Sequence, residues 1–262
     1  MQIVFDHITK KFDEGSIGLE KVSFEIQKGE FVFVIGKSGA GKSTLLRLLT
    51  KQMNATSGNI YVDDQSIGRL KPKEVPYFRR KFGIMDKETG LLDYMDLYHN
   101  VELALIATEQ PEASMRPKVL KALSVMGLRG REDYLPVEVS IGERARAMLA
   151  RAIVTNPSIL VLDEPTANLD PGLAWDIMSL VERINRAGIT VIMVSHSEDL
   201  VNVMHKRVLT LVSGALVSDA KKSGYDFKAM DVFTHRKVMR RRYGRDYDIL
   251  EPVDKKSFLG SR

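Results

Sequence analysis

Residues 31–49 read FVFVIGKSGAGKSTLLRLL, and the order of residue types in this stretch decides the fold. Phe31 to Ile35 are continuously apolar, which suits a strand buried on both faces, as in a parallel sheet covered by helices. The segment Gly36-Lys37-Ser38-Gly39-Ala40-Gly41-Lys42-Ser43 follows directly and fits G-x-x-x-x-G-K-[ST] in full. A helical pattern, LLRLLTKQM, comes next. Strand, glycine loop and helix in that order wrap successive backbone N–H groups around an anion and aim the positive end of the helix at it. Gly36, Ser38, Gly39, Ala40 and Gly41 are expected to form this cradle. Lys42 is expected to reach β and γ phosphates and Ser43 to ligate Mg²⁺ through its hydroxyl, with Thr44 extending the polar rim.

Such a loop needs an acidic partner, and ILVLDEP at 159–165 supplies one. Four apolar residues predict a buried strand, so Asp163 emerges at its carboxyl end, where ligands bind in parallel α/β sheets. Asp163 is expected to hold Mg²⁺ through water, and Glu164 to polarise an attacking water as general base.

Working outward, residues 1–35 alternate short β-type runs with turns, Ile3 to Phe5 and then Val22 to Ile26, and NIYV near 59–62 is a further short strand. From about 87 to 150 the periodicity is helical, with breaks expected at Pro111, Pro117, Gly127 and Pro136. Strands and helices then alternate through ITVIMVSH to RVLTLVSGALV, and a polar tail begins near Asp219. The expected organisation is one domain over 1–218, with a small antiparallel β part, a helical part at about 87–150, and a basic extension at 219–262.

Composition restricts the alternatives. The chain has 262 residues, 44% hydrophobic and 28% charged, which suits a folded globular protein and excludes global disorder. It has no cysteine, so disulfide frameworks, thiolate metal sites and a cysteine nucleophile are excluded. Its longest apolar runs fall far short of the roughly 18 residues that span a bilayer, and the opening MQIVFDHITKKF has no apolar leader core, so a cytoplasmic chain is expected. Residues 219–262 hold 12 Lys and Arg against 7 Asp and Glu, so the whole net charge of +5 resides there and residues 1–218 are neutral. That tail, with its aromatics and the run Arg240 to Arg242, reads as an anionic-lipid contact, a nucleic-acid arm or a solvated extension; nucleic acid is disfavoured because the basic charge is confined to an appendage.

Three further pieces select among nucleotide-binding families. Val139-Ser140-Ile141-Gly142-Glu143 precedes the acidic strand, Ala167-Asn168-Leu169-Asp170 follows it, and His196 ends TVIMVSH. In this order the chain resembles an ABC-type ATPase from about residue 1 to 218. The resemblance implies a P-loop α/β fold with antiparallel β and helical subdomains. It also implies ATP and Mg²⁺ as ligands, a γ-phosphate contact from His196, a D-loop role for Asp170, and a head-to-tail homodimer in which Ser140 and Gly142 complete the partner's site. Phe12 stands where the family commonly has an adenine-stacking tyrosine, and a phenyl face can stack equally well. LKPKEVPYFRRKFG, VMGL, NLD and RVLTLVSGALV are similar to the FtsE branch of the family. That similarity implies the ATPase subunit of a cell-division complex, peripheral on the inner membrane face, with an FtsX-like membrane partner contacting the loop from Lys87 to Asn100. An exporter or lipoprotein-release ATPase, or a nucleotide-gated scaffold with little hydrolysis, is the alternative.

The chain departs from the pattern at three places. Lys87 occupies the position of the Q-loop glutamine, and an ammonium cannot ligate a cation, so it either meets a phosphate or points to solvent. Val139 and Ile141 replace a leucine and a glycine of the signature. A β-branched residue at 141 does not readily adopt positive φ, so the local turn is expected to differ from the family's. Arg146 and Arg151 keep their places. Slow turnover is the expected consequence.

Overall fold

Alternation of apolar and polar residues along 3–26 gives the first strands one buried face, and the continuous apolar runs at 31–35, 159–162 and 191–194 give strands buried on both. A computed structural model describes residues 2–86 and 89–221. The strands are β1 (Ile3–Lys11), β2 (Ile17–Ile26), β3 (Phe31–Ile35), β4 (Ser57–Val62), β5 (Gln65–Ser66), β6 (Phe82–Met85), β7 (Ile159–Asp163), β8 (Thr190–Val194), β9 (Arg207–Val212) and β10 (Ala215–Ala220). The helices are α1 (Lys42–Leu49), α2 (Val75–Arg79), α3 (Leu97–Ala107), α4 (Glu112–Val125), α5 (Ile141–Ile153), α6 (Pro171–Arg186) and α7 (Glu198–Met204). They fall into two units: residues 2–71 with 192–221, and residues 72–191.

In the first unit, β2-β1-β4-β5 form an antiparallel sheet, the expected β part, with Phe5 stacked on its cross-strand partner Phe24 at 4.5 Å between centroids. β1 extends well past Phe5; register shifts after that residue break the two-residue alternation, and with it the sequence signal. β3 runs parallel to β9, pairing Val32 with Arg207 through Ile35 with Thr210. β10 returns antiparallel to β9 through a tight turn whose residues Ser213 and Gly214 both take positive φ, 48° and 84°. β10 continues to Ala220, so Asp219 belongs to a strand and not to the tail. Its carboxylate accepts two bonds of 2.7 Å from the fork of Arg207, which also donates to Glu30 at 3.1 Å and to the Glu25 carbonyl at 2.6 Å. Two carboxylates around one guanidinium raise its pKa and tie β9, β10 and the β2–β3 turn together. The basic extension beyond residue 221 lies outside the described residues, as does Lys87.

In the second unit, β6 runs parallel to β7, from Phe82 beside Ile159 to Met85 beside Leu162. α3, α4 and α5 pack on one another through Leu97, Val101 and Leu105, through Val119 and Leu123, and through Ala145, Ala147, Leu149 and Ala150, all buried. Small residues on α5 let its neighbours approach closely. Pro111 caps α4, Gly127 (φ 72°) follows its end and Pro136 opens a 3₁₀ turn, but α4 runs through Pro117 without a break. The lost backbone donor there is offset by the buried residues Val119, Ala122 and Leu123 in the following turns.

The connection from β6 to α3 is organised by one buried side chain. Asn100 is fully buried; its Oδ1 accepts from Leu92 N at 2.7 Å, and its Nδ2 donates to the carbonyls of Leu92, Met95 and Asp96 at 2.9–3.0 Å. A buried amide here replaces secondary structure as the partner of the loop backbone. Asn100→Ala strands these groups at about 1–3 kcal/mol for a buried unsatisfied donor or acceptor. Denaturant titration should therefore show a midpoint well below that of the parent, whereas replacing exposed His99 should leave it nearly unchanged.

Candidate functional site

The sequence-predicted residues divide between the two units. Phe12, Gly36 to Thr44 and His196 belong to the first; Ser140, Gly142, Asp163, Glu164 and Asp170 belong to the second.

The phosphate loop joins β3 to α1. Gly41 precedes α1 with φ 102°, and a Cβ there would collide with the carbonyl of Gly18. Gly36, at φ 151°, has the Leu211 carbonyl where its Cβ would lie. Both positions therefore require glycine on two grounds, conformation and space. Lys42 opens α1 with only 6% of its surface exposed and donates from Nζ to the carbonyls of Gly36 (2.7 Å) and Lys37 (3.0 Å), so its ammonium lies inside the curl. Those acceptors are neutral carbonyls, a weaker match for an ammonium than phosphate oxygens. Lys37, Ser38 and Gly39 are exposed along the rim, and the loop residues from Gly36 to Ala40 line a cavity of about 680 Å³.

His196 lines the same cavity, with Ser195 and Glu198 on one side and Thr210 to Ser213 on the other. It sits two residues past β8 and is exposed, while Ser195 is buried, with its N–H aimed at the Val34 carbonyl at 3.4 Å. Phe12 is 37% exposed and lies outside this cavity's lining; its ring covers Gly18, near the Thr44 methyl, at 2.7 Å from the position of an added Cβ. Lys10 Nζ stands 5.4 Å from the ring centroid.

In the second unit, Asp163 is the last residue of β7 and is buried, at 8% exposure. Glu164 takes left-handed backbone (φ 55°), a conformation that costs a non-glycine residue roughly 1–2 kcal/mol and turns the chain sharply at the carboxyl end of the strand. Asp170 caps α6, its Oδ1 accepting from Gly172 N (2.9 Å) and Leu173 N (3.1 Å).

The signature segment differs from expectation at Ile141. Ile141 is the first residue of α5 and is exposed, with no positive φ, so the β-branched side chain imposes no altered turn. The turn is made one residue earlier, at Ser140 (φ −64°, ψ 160°), in the extended region open to any residue. Gly142 is buried on the face of α5 that meets α6, where a Cβ would lie 2.8 Å from Leu173 Cδ2; its smallness serves helix packing. Ser140 and Glu143 form a reciprocal cap. Ser140 Oγ accepts from Glu143 N (3.2 Å), while Glu143 Oε2 accepts from Ser140 N (2.9 Å) and from Ser140 Oγ (2.8 Å). These bonds, backbone first and then side chain, hold the Glu143 carboxyl below the usual range, helped by Arg131 and Arg146. S-x-x-E spacing was the available signal for this role of Glu143. Arg151, near the other end of α5, donates to the Thr89 and Gly90 carbonyls at 2.7 and 3.0 Å and so fastens the segment just past Lys87. Spacing could not have revealed that contact, since these residues are some sixty positions apart.

Comparison with known proteins agrees with this reading. Residues 19–167 match the ABC transporter family. The chain is 37% identical over 220 residues to the cell division ATP-binding protein FtsE of Streptococcus pneumoniae, covering 84% of this chain and 96% of that one. It is 40% identical over 226 residues to the FtsE of Mycobacterium tuberculosis (86% and 98% covered) and 39% identical over 214 residues to that of Escherichia coli (82% and 96%). Among solved structures it is similar to the ATP-binding cassette MJ0796, dimeric and bound to ADP and Pi in a post-hydrolysis state, with TM-score 0.76, 29% identity and coverage of 85% and 100%. It is also similar to cbiO1 of Clostridium perfringens, with TM-score 0.77, 27% identity and coverage of 95% and 98%. A phosphate loop built as described, together with similarity along nearly the whole length of these relatives, places the chain in the ABC transporter family of ATP-binding cassettes.

Proposed function

We propose that the chain is the ATP-hydrolysing subunit of an FtsEX-like membrane complex, in which ATP turnover at the inner face of the membrane drives activation of peptidoglycan hydrolases during cell division. The observation that carries the reading is the buried Lys42 ammonium inside a loop whose glycines at 36 and 41 have no room for any other residue. That cradle fits a triphosphate. Similarity to FtsE proteins over nearly their full length supports the choice of complex over an exporter or lipoprotein-release system.

In this reading the N–H groups of residues 36–41 and the ammonium of Lys42 bind the phosphates, and Phe12 stacks on the adenine. Ser43 and Asp163 would hold Mg²⁺, which when bound neutralises phosphate oxygens. Glu164 takes a proton from the attacking water, and His196 contacts the γ-phosphate. Ser140, with Gly142 beside it, meets the nucleotide of a second copy in a head-to-tail dimer, and Asp170 shapes the D-loop by capping α6. The cassette runs from the first residues to the end of β10 at Ala220. The segment from Lys87 to the start of α3 receives an FtsX-like partner, and the extension that follows β10, rich in lysine and arginine, favours anionic headgroups at the membrane face. Among the described residues no helix is long and apolar enough to cross a membrane, which accords with attachment through such a partner.

Lys42→Ala should lose the stabilisation that Mg-ATP confers, which reaches about 2.7 kcal/mol at a ligand concentration one hundred times Kd. Thermal unfolding with and without nucleotide measures it, and an undiminished shift in the variant refutes the phosphate-loop role. Glu164→Gln keeps shape and hydrogen bonding but removes basicity. Turnover measured with the membrane partner should fall by about 10²–10⁴-fold while ATP binding persists. Unchanged turnover would exclude Glu164 as base; absence of turnover in the parent under the same conditions would favour the nucleotide-gated scaffold.

A further inference from the structure

The cap on α5 and the neighbouring Arg131 together engage both oxygens of one carboxylate, and the cap also holds the proton of one serine. A serine hydroxyl has a single proton, and that of Ser140 is donated to Glu143 Oε2 at 2.8 Å, while its oxygen accepts from Glu143 N. The other carboxylate oxygen, Oε1, lies 3.2 Å from Arg131 Nε, and the Arg131 guanidinium in turn stacks over Tyr134 at 4.8 Å from its centroid. The side chain of Glu143 is 18% exposed, so its charge is only partly screened by water.

A phosphate oxygen is an acceptor only. It can engage the Ser140 hydroxyl after that proton leaves Glu143, and it must then stand within a few ångströms of a carboxylate. A helix cap does not need this charge, because a neutral amide oxygen at 143 accepts the same bonds from Ser140. The charge is held in place by Arg131 and by the positive end of α5, directly beside the hydroxyl that the phosphate would approach.

We infer that Glu143 is a positioning residue that restrains ATP-driven dimerisation, by withholding the Ser140 proton and by opposing the approach of a second copy's γ-phosphate with its negative charge. The inference rests on the reading above that Ser140 meets the partner's nucleotide. Arg131 offsets the charge in part, which makes Glu143 a graded restraint. Exposed Ile141 and Val137 border the same end of α5 and leave the approach to Ser140 open to a second molecule.

The test uses the full chain in the Glu164→Gln background, with saturating Mg-ATP and sedimentation velocity over a range of protein concentrations. Adding Glu143→Gln should tighten the ATP-dependent dimer by at least about fivefold per site, the scale of one unit charge acting over about 4 Å at the dielectric of bulk water, and the gain should shrink as salt is raised. ATP affinity of the monomer should stay at the parent value, while thermal stability without nucleotide should fall slightly at neutral pH, because the amide preserves the cap but loses the ion pair with Arg131 and the charge at the helix start. Glu143→Ala, which removes cap and charge together, should lower thermal stability. If Glu143→Gln leaves the dimerisation constant unchanged, Glu143 is a helix cap alone and the inference fails. Ser140→Ala distinguishes that failure from failure of the underlying reading: if this variant dimerises with ATP as well as the parent, Ser140 does not meet the nucleotide, and both fall together.

Discussion

Two carbonyl oxygens, those of Gly18 and Leu211, stand where any side chain at positions 41 and 36 would begin. The phosphate loop is thus confined from the β1–β2 sheet on one side and from β9 on the other. Gly214 N adds a bond to the Ala40 carbonyl at 3.0 Å, and Glu20 N reaches Gly214 O at 2.9 Å. A loop that must present its N–H groups to a polyanion cannot satisfy them in a sheet or a helix of its own. It is held instead by backbone atoms of strands remote in sequence, which keep its shape fixed before any ligand arrives. Arg207 extends the bracing by joining both strands of the β9–β10 hairpin to Glu30, next to the start of β3.

The second unit solves a similar problem with side chains. Asn100 supplies the hydrogen bonds of the loop from Leu92 to Asp96, and Arg151 supplies those of Thr89 and Gly90. Burial lowers the pKa of Arg151, the cost of placing a guanidinium among carbonyls, while nearby Asp86 opposes that shift. α5 therefore carries the signature serine at its first end and holds the segment after β6 near its last. A rotation of this helix would be felt at both.

The departures of the chain from the family pattern have unequal physical weight. Ile141 is accommodated without strain as the first residue of a helix, since nothing there demands glycine. Glu143, which is not one of these departures, carries more weight in the proposed dimer, because its charge sits on the hydroxyl that would meet the nucleotide of a second copy. Electrostatic restraint of this kind acts on association and leaves the fold of each copy intact.

The sequence by itself determined the nucleotide chemistry. G-x-x-x-x-G-K-S after an apolar strand, and a second apolar strand ending in Asp163 and Glu164, are local patterns whose meaning lies in a dozen consecutive residues, so they were legible without tertiary information. The strand and helix order was legible for the same reason, as was the antiparallel part, although β1 was read short because its bulges interrupt the alternation. Pro117 was misread as a break, since the penalty of an internal proline is local whereas the buried apolar contacts that overcome it are not. The cap between Ser140 and Glu143 was legible in principle from its spacing. What only the tertiary structure decided were relations between distant segments: Leu211 behind Gly36, Leu173 against Gly142, Arg151 on Thr89 and Gly90, and Asp219 on Arg207. Each depends on which backbone or side chain arrives at a given place, and packing of the whole chain settles that arrival, not the propensity of any one stretch.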